Sequence, residues 1–157
     1  MAPPYTIRGA VDEDVETLVA FTLQEAREAE NLELDASAVR RGVRMALDDP
    51  RLATYWVAEA ATDGVVGSAS VVKEWSNFRG GHYWWIQSLF IVREHRGRGL
   101  VEALLDHLAS AAEAAGALDL RLYAHTSNAR ALRAYRRSKF ADAPYVIMTR
   151  RLRRTRS

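Results

Sequence analysis

The chain has 157 residues, 48% of them hydrophobic, 27% charged and 9% aromatic, which suits one globular domain with a single core and excludes a disordered chain. It has no cysteine, so disulfides, thiolate metal sites and a cysteine nucleophile are excluded together, and no metal is expected. Formal charge is +2, but Arg150, Arg151, Arg153, Arg154 and Arg156 crowd the last eight residues and the rest of the chain is net acidic.

The opening Met1-Ala2-Pro3-Pro4 has no signal-peptide pattern, and no apolar run reaches the ~18 residues of a membrane span. A soluble, cytoplasmic protein is therefore expected. Only two of the 22 basic residues are lysines, a bias expected of a GC-rich bacterial genome. Residues 1–152 read as a single domain and 153–157 as an Arg-rich tail.

Tyr5-Thr6-Ile7-Arg8 predicts a short first strand. After Asp12, a candidate cap, Val15, Leu18, Val19, Thr22 and Leu23 recur at helical spacing. A second helix is predicted from Asp35 or Ser37 to Asp49-Pro50, with Val39, Val43, Ala46 and Leu47 on one face. Tyr55 to Ala60 and Val65 to Val72 flank Thr62-Asp63-Gly64, a hairpin signature. A long apolar strand is expected from His82 to Val92. It leads into Arg96-Gly97-Arg98-Gly99 and a helix carrying Leu100, Leu104, Leu105, Leu108 and Ala112, closed by Gly116. Leu118 to Ala124 predicts a strand, Asn128 to Ser138 a helix, and Tyr145 to Leu152 a last strand. This order indicates an α/β (α+β) fold, a mixed sheet with helices on its faces.

The glycine-rich turn between a buried strand and a helix carries the chemistry. Helix N-termini leave N–H groups unpaired and favour anions, and glycines let backbone approach a phosphate closely. Arg96 and Arg98 add positive charge, so the turn suggests a pyrophosphate site. A P-loop fails because no Lys-Ser or Lys-Thr pair follows the glycines. A dinucleotide fingerprint needs a small residue where Glu102 stands, and Asp119 precedes its strand instead of ending it.

The stretch Phe90 to Val101, with Arg96-x-x-Gly99-x-Val101, resembles the acetyl-CoA signature of the GNAT superfamily of N-acetyltransferases. Asn128-Ala129-Arg130-Ala131, followed by Tyr135 and Phe140, resembles the second motif of that superfamily. Asn128 and Tyr135 are seven residues apart, two helical turns, so both can face one ligand. Glu74-Trp75-Ser76 and Trp84-Trp85-Ile86-Gln87-Ser88 are similar to a bacterial subgroup. Three positions depart from the pattern: Val101 replaces a small residue, Arg93 a proline, and Lys139 a glycine. The resemblance implies a mostly antiparallel central sheet with helices on both faces.

It also implies an acyl-CoA-dependent N-acyltransferase that moves acetyl from acetyl-CoA to a primary amine of a small molecule or peptide. Phe90, Ile91, Val92, Arg96, Gly97, Arg98, Gly99, Leu100, Val101 and Asn128 would then contact the cosubstrate, with strand N–H groups from Phe90 to Val92 pairing to pantetheine. Tyr135 would be the general acid. An alkyl amine of pKa ~10.4 is only ~0.04% neutral at pH 7, so a base is wanted. Some relatives carry a glutamate where this chain has Gln87, leaving Glu74, His82 and His125, each near a strand end, as candidate bases. Glu28, Glu30 and Glu33 are candidates for the acceptor mouth. Acetyl-CoA and an amine are the expected partners, and such folds also permit edge-to-edge homodimers. Two alternatives stand beside this reading: a CoA-binding sensor without turnover, and nucleic-acid binding through the arginine tail.

Overall fold

The computed structural model describes residues 4–153; Arg154 and Arg156 of the expected tail lie outside the described residues. One sheet contains β1 (Tyr5–Gly9), β2 (Thr54–Ala60), β3 (Gly64–Ser76), β4 (Gly81–Ile91) and β5 (Leu120–Leu122), ordered as in the chain. The first four pair antiparallel, and β5 lies parallel to β4. Four helices accompany them: α1 (Val15–Glu30), α2 (Ala36–Asp48), α3 (Leu100–Ala114) and α4 (Ala129–Arg137). The expected mixed, mostly antiparallel sheet with helices on both faces is present.

Strand alternation divides the core into two layers. Val57 and Tyr55 of β2 pack against Val15, Leu18 and Val19 of α1 and Val43 of α2. Ala58, Val71, Trp84 and Ile86 face the other way, onto Leu100, Leu104, Leu105 and Leu108 of α3, each at most 2% exposed. Gly116, at φ +73°, ends the turn after α3, where the Ala117 N–H returns to the Ala112 carbonyl at 2.9 Å; a left-handed residue there favours glycine. Asp35 caps α2, accepting from the Ser37 N–H at 3.0 Å.

Asp12 does not cap α1. Asp12–Asp14 form a 3-10 turn instead, and Asp14 is the buried acid. It accepts from both terminal nitrogens of Arg8 at 2.8 and 3.0 Å and from the Val11 N–H at 2.8 Å.

Two features of β4 shape its open edge. Ser70 pairs with Ser88, but the next residue, Val71, pairs with Ile86, so Gln87 is an extra residue, a β-bulge. Trp84 and Ile86 point to α3, whereas Ser88 bonds Ser70 at 2.6 Å and Phe90 packs 4.9 Å from the Phe21 ring of α1. β5 pairs only with Trp84, Trp85 and Ile86, so beyond Ile86 that edge of β4 has no strand beside it.

The expected last strand is not formed. Tyr145 to Leu152 is irregular, with Val146 83% and Met148 87% exposed. An apolar β-branched run becomes a strand only against a free edge of useful length, and β5 offers three residues.

The Arg8 guanidinium, first through its hydrogen bonds, holds the Asp14 carboxyl below the usual carboxylate range. That contribution is therefore complete above pH ~4 and lost as pH falls through the lowered folded value. Asp14→Ala is expected to cost about 2–3 kcal/mol in urea unfolding at pH 7, because Arg8 keeps part of its surface in water. The difference from wild type should shrink in acid.

Candidate active site

The turn before α3 takes its shape from two glycines. Gly97 and Gly99 have φ of +72° and +79°, values that cost most L-residues about 1–2 kcal/mol. A Cβ at either would meet nothing within 4 Å, so backbone conformation, not crowding, calls for glycine, and the amides stay open to approach. The first helical bond runs from the Ala103 N–H to the Gly99 carbonyl at 3.0 Å. The N–H groups of Leu100, Val101 and Glu102 therefore have no helical acceptor. They open onto a cleft of about 510 Å³ walled by Phe90, Ile91, Arg96, Asn128, Arg130 and Tyr135 among others. Val101 lines the cleft and also packs on the core under α3, so its bulk is partly absorbed there. Lys139 has φ +71°, a conformation that favours glycine.

Arg96 ties the turn to its surroundings. Its Nε donates to the Ile91 carbonyl at 2.8 Å and a terminal nitrogen to Glu28 at 2.6 Å, with the guanidinium 5.6 Å from the Phe90 ring. Glu28 therefore belongs to this cleft and not to an acceptor mouth. Glu33 is exposed and pairs with Arg27. The buried His95 links the same turn to the β2–β3 hairpin. The Asp63 carboxylate accepts from its Nε2 at 2.9 Å, and the Tyr5 hydroxyl lies 3.0 Å from its Nδ1.

Two expected contacts lie elsewhere. The Val92 N–H donates to the Val66 carbonyl at 2.9 Å and is used within the sheet. Arg98 is exposed, does not line the cleft, and acts on Asp63, whose carboxyl is lowered chiefly by His95. Because N–H direction alternates along a strand, the amides of Leu89 and Ile91 face the open edge, while Phe90 and Val92 face β3. The Leu89 N–H confirms this by donating to Glu25 of α1 at 3.2 Å.

A second cleft, about 350 Å³, lies on the other side of this point and includes Thr22, Glu30, Tyr55, Gln87, Tyr123 and His125 in its wall. Glu25, Ala29, Leu89, Asn128 and Tyr135 line both clefts. Asn128 caps α4, its Oδ1 accepting from the Ala131 N–H at 3.2 Å. Tyr135 follows two turns later and packs edge-on against Phe140, ring centres 6.1 Å apart. Burial, then the charge of Glu25, raises the Tyr135 hydroxyl above its ordinary value, so it is a neutral donor at pH 7.

The candidate bases fare differently. The His125 Nδ1 accepts the Ser127 N–H at 3.2 Å and lies 2.6 Å from its hydroxyl. Nδ1 is thus engaged by Ser127. Glu74 lines neither cleft; it accepts the Trp85 indole N–H at 3.1 Å. Trp84 is buried in the core, as its place on the strand permits, while the Trp85 ring lies 6.2 Å from that of Tyr123.

Glu25 is the residue that sequence reasoning missed. Burial pushes its carboxyl up to about 7, opposed by the Leu89 N–H and assisted by Glu30. A signal was present: it lies seven residues after Leu18 and three after Thr22, a carboxylate on the inward stripe of an amphipathic helix.

A family model for the acetyltransferase (GNAT) family matches residues 14–140, and the chain belongs to that family. GNAT acetyltransferases are acyl-CoA-dependent transferases. A possible acetyltransferase from Clostridium difficile 630 superposes with a TM-score of 0.89 at 27% identity, over 97% of this chain and 100% of that one. A predicted acetyltransferase with acetyl-CoA from Clostridium acetobutylicum gives 0.76 at 18% identity, over 93% and 96%. A ribosomal-protein-alanine N-acetyltransferase from Brucella melitensis biovar Abortus 2308 gives 0.76 at 20%, over 94% and 99%. The last two show likeness of fold. No curated protein matches the chain. Among the described residues no helix is long and apolar enough to cross a membrane, and no group of three or more His, Asp or Glu could hold a metal.

Because its carboxyl is raised, Glu25 destabilises the folded protein once ionised, so stability should fall as pH rises from about 4 to 7. Glu25→Gln is expected to remove that decline, a difference of up to about 3 kcal/mol in urea unfolding above pH 8.

Proposed function

We propose that the protein transfers the acetyl group of acetyl-CoA to a primary amine of a small molecule or peptide. The observation that carries this reading is the meeting of two clefts at Leu89, Glu25 and Tyr135. One cleft leads from an open glycine turn and unpaired helix amides; the other has acidic side chains suited to a cation.

Acetyl-CoA supplies the activated acetyl group as a thioester. The amides after Gly99 hold its diphosphate, a role supported by their lack of helical acceptors and by the helix dipole. Arg130 and Arg137, on the wall of the same cleft, add positive charge. The Leu89 and Ile91 N–H groups, on the unpaired edge of β4, bind the pantetheine arm and polarise the thioester carbonyl. Tyr135 donates a proton to the departing sulfur, for which a raised hydroxyl value is an advantage. Glu25 and Glu30 draw the amine into the second cleft.

The geometry favours turnover over the sensor alternative. The bulk of Val101 is partly taken into the core, and the missing carboxylate at Gln87 is matched by Glu25 across the same cleft.

Thiol release from acetyl-CoA with a panel of primary amines tests the reading, and binding without release for every amine would support the sensor instead. Tyr135→Phe is expected to lower turnover by about 10²–10⁴-fold while leaving acetyl-CoA affinity nearly intact. Gly99→Glu, which places a carboxylate at the anion site, should weaken acetyl-CoA binding by about 100-fold or more; retained binding would put the diphosphate elsewhere.

A further inference from the structure

We propose that Glu25 is the proton acceptor for the attacking amine, held on the Leu89 N–H in the free protein and released from it when a thioester carbonyl takes that donor. The inference rests on the acetyl-transfer reading and adds a base and its control to it.

The geometry points this way from both partners. The Leu89 N–H lies on the open edge of β4, where both clefts meet, and a carboxylate oxygen sits 3.2 Å from it. A donor that holds a negative oxygen in the free protein is the kind of donor that a tetrahedral oxyanion requires. At that length the bond is at the weak end of the N–H to oxygen range, so it can be exchanged. One N–H cannot serve the carboxylate and the thioester oxygen equally, and Glu25 must turn toward the acceptor cleft that it already lines.

The groups that share its clefts, Arg130 and Arg137 of α4 among them, leave it free to act. Glu28 and Glu30 share α1; Tyr55 comes from β2, Gln87 from β4, His125 and Asn128 from the segment before α4, and Tyr135 from α4. The nearby cation Arg96 is already paired with Glu28, and among the described residues no cation lies within ion-pair distance of Glu25. Burial already raises the carboxyl, and the Leu89 N–H is the influence that lowers it. Losing that bond raises it further, so acetyl-CoA binding makes Glu25 a stronger base.

The protons balance. The Glu25 carboxylate takes one proton from the ammonium form of the amine. The freed nitrogen pair forms the C–N bond while the carbonyl pair moves onto oxygen, held by the Leu89 N–H. Collapse breaks the C–S bond with its electrons on sulfur, and Tyr135 protonates the sulfur. Tyr135 recovers its proton from the nitrogen, and Glu25 gives its own to water. One amide, one thiol and one proton result.

Calorimetry of the wild-type protein in buffers of different ionisation enthalpy tests the release without any variant. Near pH 7.5, acetyl-CoA binding should take up a fraction of a proton more than CoA binding, since CoA lacks the thioester carbonyl that competes for Leu89. Glu25→Gln should abolish that difference, bind acetyl-CoA as tightly as wild type or more so, and lower kcat/KM for the amine by about 10²–10⁴-fold. The acid limb of its pH profile should vanish. Equal proton uptake for the two ligands, or a Glu25→Gln protein that keeps the limb, would overturn the inference while acetyl transfer stands. A wild-type protein that fails to bind acetyl-CoA would overturn both.

Discussion

One extra residue in β4 governs how the long strand meets its neighbours. At Gln87 the ladder to β3 shifts by one, and every later side chain and amide changes side. Before it, Trp84 donates its N–H to Asp119 beside β5 and packs its ring under α3. After it, even-numbered residues turn to α1 and β3, and the odd-numbered amides of Leu89 and Ile91 face the opposite edge. Since β5 pairs no farther than Ile86, those amides reach a cleft instead of a strand. A bulge next to the end of the β5 pairing thus turns ladder donors toward a cleft. A cleft between the strands is a direct consequence of the sheet.

Charge is arranged around that opening with little waste. Arg96 is held by a backbone carbonyl and by Glu28, which fixes its position below the glycine turn. His95, with Asp63 and Tyr5, ties the same turn to the far hairpin. These contacts lie at the larger cleft, which Glu28, His95 and Arg96 line. The second cleft has carboxylates, of which Glu25 is set into the wall by burial while Glu30 is exposed. Under the proposed reading, a cationic amine would meet negative charge and an anionic diphosphate would meet helix amides and arginines, on opposite sides of the residues that line both clefts.

Much of this was legible in the residues. The glycine turn, the leucine stripe of α3, and the pair Asn128 and Tyr135 were readable because their spacing reflects helix geometry. The hairpin at Thr62-Asp63-Gly64 was readable because turn residues mark it. The bulge was not, since Gln87 interrupts an apolar run without a glycine or proline to signal it. Free amides were expected along the Phe90–Val92 stretch, whereas those of Phe90 and Val92 face β3. Glu25 was hidden because a glutamate in a helix usually means a solvated face. Tyr145 to Leu152 has strand composition, but a strand also needs an edge, and the length of β5 is set by its contact with β4.

The central claim is that the amides released from the ladder and those at the start of α3 form one continuous binding surface. The direct measurement is the amide spectrum of ¹⁵N-labelled protein titrated with acetyl-CoA. The account predicts that Leu89, Ile91, Gly97, Gly99 and Val101 shift together and saturate at one equivalent, while Phe90 and Val92 move less. Shifts confined to other strands, or a Leu89 amide indifferent to saturating acetyl-CoA, would contradict it.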